Sequence, residues 1–501
     1  MDTERWQPAR LIPTTGISGQ DEQEMRATSA LLAVLTAVRE FGSALLRPLG
    51  APAGTVTTFI EVPFELSDGR KLRPDGFVRV ARGNREWSAL VEVKTGTSDL
   101  GREQVEAYLD LARENGIDCV LTISNQIAPS EGVHPLEVDK RKTKKVALCH
   151  LSWAEVLSTA VAQRVHRGVS DPDQAWILAE LIRYLEHPRS GALDFADMGG
   201  SWVPIREALS AGTLRPSDRG IGEVVARWEQ LLRFAALRLE RELGTGVQVV
   251  VSKKELADAN GKRARQVDDL VNRQLLAGTL RIPNTVGDLV IVADLRSNRC
   301  QVSVDLPGPA EGRALTRVNW LVRQLSEAPD QIRVDAFVHL ARNSSSDLLK
   351  VVRENPSMLV GDPKADVRRF RLTATSPLGS KRGTGRGAFI DSVLASVSGF
   401  YADVLQQVRP WQPKVPQLPK EGTAVHSAGI DTTVGPDVAA VASVDNEPFD
   451  DAVAATEVVM PTDGVELVSW DDQLDDLANE RSLTGPLVGA SEPVPTAVAI
   501  D

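Results

Sequence analysis

Three charged residues stand at the ends of two predicted strands: Asp75, Glu92 and Lys94. Side chains alternate between the two faces of a strand, so Glu92 and Lys94 share one face while their apolar neighbours face a core. If residues 75–81 and 87–94 form an antiparallel hairpin, Asp75 comes level with the end of the second strand. The sequence therefore predicts that the two carboxylates and the amine converge.

Two carboxylates held close together raise each other's pKa, and a divalent cation removes that cost. Mg²⁺ prefers oxygen ligands and usually takes one or two carboxylates together with waters and phosphate oxygens. A bound metal ion acidifies its water and stabilises charge on phosphate, and a nearby lysine can orient that water. This set of groups suits phosphodiester hydrolysis. The alternatives are a Pro-Asp-Gly turn and an exposed Glu–Lys ion pair of little energetic weight.

The stretches "RPDG" at 73–76 and "VEVKTG" at 91–96 resemble the PD-(D/E)XK nuclease superfamily. Asp75 matches the Asp of its motif, Glu92 the second acid and Lys94 the lysine. The resemblance covers residues of about 20–165. It implies a restriction-endonuclease-like mixed sheet flanked by helices, dependence on Mg²⁺ or Mn²⁺, and a nucleic-acid substrate.

Within that superfamily, "QVEAY" is similar to a helix pattern of RecB-type exonucleases and assigns Gln104 and Tyr108 to the catalytic group. The resemblance also implies an acidic residue on the preceding helix. Glu24 fits best because it shares the apolar stripe of that helix, and Glu22 is the alternative. We interpret Glu61, close to the site in sequence, as a structural residue or as one that supports the site's ligands from outside.

Apolar periodicity predicts an α/β first domain, with helices and strands in the order α, three strands, α, β, β, α. A second, α+β domain of unassigned fold and a disordered acidic tail follow. The expected boundaries are a nuclease-like domain at 1–165, a helical connector at 166–245, a substrate-binding or sensor domain at 246–410, and a tail at 411–501.

The expected tail has 17 acidic and three basic residues, a net charge of −14 in a chain of net −11, so the rest carries +3. Its segment "VELVSWDDQLDDLANE" is expected to form a short acidic helix on a protein partner. We also expect the tail to compete with nucleic acid for basic surface and so to restrain activity.

Two basic stretches are candidates for nucleic-acid contact. "DKRKTKK" precedes the last strand of the first domain, and "KRGTGRG" precedes a helix, where backbone amides can cradle phosphate. A solvated loop is the alternative for each, and a surface loop is expected for the whole run from Arg368 to Phe389. The residues concerned are Lys140, Arg141, Lys142, Lys144, Lys145, Lys381, Arg382 and Arg386.

The most specific functional expectation is a Mg²⁺- or Mn²⁺-dependent nuclease, with DNA favoured over RNA, acting in repair or defence. The alternative is a catalytically inactive nuclease-like protein that binds nucleic acid or regulates. Three cysteines without paired spacing, no signal peptide and no long apolar run favour the cytoplasm over a membrane. The sequence leaves the oligomeric state open, a homo-oligomer included.

Overall fold

A computed structural model describes residues 7–8, 20–96, 98–128, 133–187, 189–192, 195–339, 344–361 and 365–413. Met1–Pro416 form one compact unit, and Gln417–Asp501 are a second unit that lies outside the described residues. The expectations for the acidic tail and its helix fall on residues from 414 onward, which are also outside them.

The first part of the chain builds a six-stranded mixed sheet in the order β1-β2-β5-β6-β7-β8. The pairs β1–β2, β2–β5 and β5–β6 are antiparallel, whereas β6–β7 and β7–β8 are parallel. A separate two-stranded ribbon joins β3 to β4. These strands are β1 Gln7–Pro8, β2 Thr55–Ile60, β3 Phe64–Glu65, β4 Lys71–Leu72, β5 Gly76–Arg82, β6 Arg85–Val93, β7 Cys119–Ser124 and β8 Ala147–Ser152.

Helices cover both faces of this sheet, as expected for the first domain. The apolar residues of α3 pack on one face, and those of α1, α2, α4 and α5 pack on the other. A π-helical segment, Ala162–Arg167, continues α4. The helices are α1 Gln20–Ala37, α2 Arg39–Leu46, α3 Arg102–Asn115, α4 Trp153–Val161 and α5 Pro172–Glu186.

The apolar periodicity of residues 22–46 predicts one helix, but the structure has two helices that meet at 110°. Val38 adopts an extended conformation and separates them. The second helix then crosses the first so closely that a Cβ on Gly42 would lie 2.5 Å from the carbonyl oxygen of Leu35. Gly42 thus permits a sharp crossing that apolar periodicity does not reveal. Among the described residues, no single helix is long and apolar enough to cross a bilayer.

The second core surrounds an antiparallel seven-stranded sheet in the order β14-β13-β15-β12-β11-β10-β9. Its strands are β9 Gln248–Val249, β10 Leu275–Arg281, β11 Leu289–Asp294, β12 Arg299–Pro307, β13 Arg333–Val338, β14 Ser345–Leu348 and β15 Val367–Pro377. The accompanying helices are α6 Trp202–Ser210, α7 Ile221–Leu243, α8 Lys253–Ala257, α9 Ala259–Asp268, α10 Ala314–Gln324, α11 Leu349–Glu354 and α12 Phe389–Asp403.

The expected helical connector, 166–245, is divided between the two cores. Leu178, Leu181 and Leu185 of α5 belong to the first core, whereas α6 and α7 are part of the second. The connector therefore does not form a separate layer within the described residues.

Two expectations for the second domain are wrong. The pattern of residues 255–276 predicts one helix to Leu276, but the helical segment stops earlier, because Gln274 takes a left-handed conformation and Leu275 begins β10. The expected surface loop begins instead with the long strand β15, in which Phe370 and Leu372 are buried and the intervening arginine faces the opposite side. Arginines at alternate positions make the segment as polar as an exposed loop, and this polarity obscures the strand.

Candidate active site

The hairpin on which the predicted site depends is present. Strands β5 and β6 pair with Gly76 opposite Val91, so Asp75, one residue earlier, comes level with Glu92. The backbone N–H of Val93 donates to Asp75 Oδ2 over 2.7 Å. The predicted convergence of Asp75 and Glu92 at the end of β6 is confirmed.

The "PDG" sequence opens a strand instead of forming an isolated turn. A Cβ on Gly76 would lie 2.5 Å from Leu32 Cδ1, so the glycine allows α1 to pack directly on β5. Because Glu24 lies near the start of the same helix, this close packing sets its position beside the sheet edge.

Lys94 lies at the centre of the charged cluster. Its Nζ is 2.7 Å from Glu92 Oε1 and 2.7 Å from Glu24 Oε1. The side chain of Glu92 is 1% exposed, while those of Lys94 and Glu24 are 16% and 19% exposed. The Trp153 indole N–H donates to the Lys94 carbonyl over 2.9 Å and fixes the backbone at this point.

Burial and the neighbouring Glu92 raise the pKa of Asp75 to about 8. Burial also raises the pKa of Glu92, against the opposing effect of the Lys94 ammonium. For Lys94, burial lowers the pKa, but the surrounding carboxylates outweigh it and the net shift is upward. The carboxylates thus resist ionisation together, even with one ammonium between them.

Helix α3 places Gln104 and Tyr108 one turn apart, as predicted. Gln104 Nε2 donates to Tyr108 OH over 3.2 Å, and Gln104 itself is exposed. Tyr108 is buried, and burial with the nearby Glu92 raises its phenolic pKa. Tyr108 therefore lies against the carboxylates, whereas Gln104 reaches solvent.

Two further acidic residues near the site, Glu61 and Glu22, each form an ion pair with a neighbouring arginine. Glu61 forms an ion pair with Arg73, and its backbone N–H donates to the Asp75 carbonyl over 3.1 Å. Glu22, the alternative to Glu24, pairs with Arg26 instead. These contacts agree with our interpretation of Glu61 as a structural residue.

Two histidines, His134 and His150, contact the strand next to the one that carries Glu92. Thr122 lies opposite Glu92 in β7, and its Oγ1 is 2.8 Å from both His134 Nε2 and His150 Nδ1. His134 Nδ1 lies 3.0 Å from the backbone nitrogen of Leu136 and 3.1 Å from its carbonyl oxygen, so this residue anchors the ring from the other side. No ligand-like spacing relates these histidines in the sequence, so only the fold reveals that they meet.

The predicted basic stretches lie apart from the carboxylates. "DKRKTKK" leads into the amino-terminal end of β8, whereas Glu92 and Lys94 are at the carboxyl end of the parallel strand β6. Lys142 forms an ion pair with Asp110 on α3. The other four members of this run are exposed: Lys140, Arg141, Lys144 and Lys145.

The "KRGTGRG" loop is a hydrogen-bonded turn in the second domain. The amides of Ser380 and Lys381 donate to the Gly387 carbonyl over 3.1 Å, and the Gly385 amide donates to Asp391. Arg382 pairs with Asp197 at 3.2 Å. Lys381 Nζ donates to the Arg386 carbonyl over 3.0 Å. The amides of Ser380, Lys381 and Gly385 are thus engaged within the turn.

The carboxylates of Asp75 and Glu92 fit a small, hard cation. Neither oxygen of Glu92, although buried, accepts a hydrogen bond of normal geometry from the described residues. No group of three or more His, Cys, Asp and Glu side chains among those residues has the arrangement of a metal site. Mg²⁺ needs only one or two protein carboxylates, so the pair suffices as a donor set.

Comparisons with known proteins give no match to the chain: no protein-family model, no curated protein and no solved structure.

Proposed function

We propose that the first domain is a metal-dependent nuclease that hydrolyses phosphodiester bonds, with DNA as the favoured substrate, in repair or defence. Its sheet would be of the restriction-endonuclease-like type. The observation that supports this most is the meeting of Asp75, Glu92 and Lys94 at one strand end, with buried Glu92 oxygens that accept no hydrogen bond of normal geometry from the described residues. Burial of charges without full compensation is costly, and such sites are often functional.

Asp75 and Glu92 would hold Mg²⁺ or Mn²⁺, and Glu24 is a third carboxylate within reach of the same ammonium. When bound, such an ion acidifies a water molecule and stabilises negative charge on phosphate. The Val93 amide holds Asp75 in place by its hydrogen bond, so this carboxylate is oriented before any ligand arrives.

Lys94 would orient the attacking water or balance charge developing on the phosphate. Its ammonium stays protonated at neutral pH because the surrounding carboxylates raise its pKa. Tyr108 would support the cluster from the α3 side, and Gln104, exposed one turn earlier, would contact the scissile phosphate group. Residues 246–410 would position substrate or sense a signal.

Cleavage of labelled DNA and RNA with Mg²⁺ or Mn²⁺ tests the proposal. Asp75→Asn, Glu92→Gln and Lys94→Met should each lower the rate by about 100-fold or more, as expected when a charge-stabilising group is lost. Glu65→Gln, an exposed acid on β3, serves as the matched control and should retain full activity. Unchanged rates in Asp75→Asn and Lys94→Met would contradict a catalytic role.

A second function is favoured by one observation: Lys94 already pairs with both Glu24 and Glu92. Such a cluster can serve a catalytically inactive protein that binds nucleic acid or regulates. Calorimetric titration with Mn²⁺ separates the two functions. Binding that disappears in the Asp75→Asn, Glu92→Gln double variant supports the nuclease, and no such binding supports the inactive alternative.

A further inference from the structure

A cleft on the first domain, remote from the carboxylates, is lined by three arginines. It has a volume of about 770 Å³ and lies between α2 and the π-helical segment Ala162–Arg167. Glu24 is near the start of α1, and α2 begins after that helix ends. At about 1.5 Å per residue, α1 alone separates the two places by roughly 20 Å.

Three of the lining residues occupy one side of α2 and the turn after it. Arg39, Ser43 and Arg47 recur every four residues, which places them on successive turns of one helix face. The backbone positions of Arg39 and Arg47 are therefore about 12 Å apart along the helix axis. Arg167, at the end of the π-helical segment, and Gln163 line the opposite wall.

The arginines of the cleft are only partly neutralised by their surroundings, because Glu40 is the acid that interacts electrostatically with Arg39. Arg39, Arg47 and Arg167 are exposed, and no ion pair joins any of them to an acidic side chain in the part of the chain that the structure describes. Arginines elsewhere do have such partners: Arg369 and Arg371 both bind Asp305, at 3.0 and 2.7 Å. The cleft thus concentrates positive charge.

The cleft also has one acid, Glu40, whose carboxylate accepts the backbone N–H of Ser170 over 3.1 Å. That hydrogen bond holds the pKa of Glu40 below its ordinary value, so the group stays ionised at neutral pH. Three positive charges against one negative charge leave the cleft with a net positive charge.

We propose that this cleft binds phosphate groups. Guanidinium groups pair with phosphate through two parallel hydrogen bonds, and Ser43 and Gln163 add neutral polar groups. The cleft is open to solvent and has room for a free nucleotide or pyrophosphate at its surface. The spacing of about 12 Å equally suits the backbone of roughly three to four nucleotides. The site uses none of the carboxylate cluster, so it is independent of the proposed nuclease activity.

Two probes distinguish the sources of phosphate, both used with the full chain and with divalent metal removed by chelator. Inorganic pyrophosphate is titrated by calorimetry, and a fluorescent single-stranded DNA of about 12 nucleotides is titrated by anisotropy at several salt concentrations. The double variant Arg39→Gln, Arg47→Gln should weaken binding of at least one probe by about tenfold or more. If the DNA binds there, the salt slope should also fall by about one for each arginine removed.

The matched control is the double variant Arg215→Gln, Arg219→Gln. It also removes two positive charges, but at exposed positions outside the cleft. It should leave binding unchanged. Glu40→Gln keeps a carbonyl oxygen for the Ser170 amide but removes the negative charge, so it should tighten binding. Because Glu40→Gln should increase the affinity, it still tests the proposal if the double arginine variant fails to fold.

Pyrophosphate binding that depends on the arginines identifies a free phosphate ligand, and DNA binding alone that depends on them identifies a nucleic-acid backbone. Equal losses in the arginine and control variants, or no effect of the arginine and Glu40→Gln variants on either probe, would overturn the proposal.

Discussion

The ammonium of Lys94 lies 2.7 Å from Glu24 Oε1, which joins the end of β6 to the start of α1. The same ammonium lies 2.7 Å from Glu92 Oε1. One cation therefore serves two carboxylates, while Asp75 is held by a backbone amide. The cluster contains more carboxyl groups than cations, and its stability should respond to mutation, to pH and to packing.

Removing the cation should destabilise the fold. Lys94→Met leaves Glu92 buried without a positive partner, so we expect the free energy of unfolding to fall by about 2–4 kcal/mol at neutral pH. Urea denaturation measures the change. The control Arg26→Met breaks the exposed pair with Glu22 and should cost only about 0.5 kcal/mol. Similar losses in both variants would show that the cluster behaves as an ordinary surface pair.

Asp75 should make the metal-free protein less stable as the pH rises. Its pKa is raised to about 8, so above the ordinary value of 3.8 the unfolded chain releases a proton that the folded state retains. The stabilising contribution present at low pH is therefore lost as the pH rises through this window.

Asp75→Asn removes that titration and provides the measurement. From pH 5 to pH 8, the free energy of unfolding of wild type should fall relative to the variant by at least about 1.4 kcal/mol, the equivalent of one pKa unit. Urea denaturation in chelator at both pH values gives this difference. A constant difference between the two proteins would mean that Asp75 ionises normally.

The hairpin that carries Asp75, Glu92 and Lys94 was predictable because alternation and a polar turn are local signals. Helix α3, ended by the left-handed Gly116, was predictable for the same reason. The break at Val38 was not, because it depends on a close crossing of two helices.

Strand β15 is difficult to predict from the sequence, because the residue that pairs with its arginines is more than 60 positions away. Arg369 and Arg371 pair with Asp305 on the neighbouring strand β12, a contact that no local pattern indicates. The histidine pair at Thr122 likewise arises only when β7, β8 and the loop before β8 come together.

Close packing at Gly76 should be required for the position of Glu24. Gly76→Ala would place a Cβ 2.5 Å from Leu32 Cδ1, and we expect a loss of about 1–3 kcal/mol as the buried Leu32 side chain leaves its rotamer or α1 shifts from β5. Thermal and urea denaturation measure it. Gly399→Ala, inside α12 with open space around its Cβ, should instead stabilise by about 0.5–1 kcal/mol. A stabilising Gly76→Ala would show that α1 can shift at little cost.

The pair His134 and His150 should make the fold sensitive to acid. Burial and the adjacent His150 lower the pKa of His134 to about 4, and burial lowers the pKa of His150, while Glu155 partly opposes this for His150. Both rings are neutral in the folded state. As the pH falls below about 6.5, the unfolded chain gains protons first, so stability is present above that pH and is lost on the way down to the folded pKa.

His134→Asn should reverse part of this acid sensitivity. At neutral pH the variant should lose about 1 kcal/mol, because the hydrogen bond to Thr122 is gone. Toward pH 4.5 this deficit should shrink or change sign, because the variant no longer keeps a neutral imidazole buried. Urea denaturation at a series of pH values measures the difference, with His187→Asn at an exposed position as the control. A deficit that stays constant from pH 7 to pH 4.5 would contradict a role for His134 in acid unfolding.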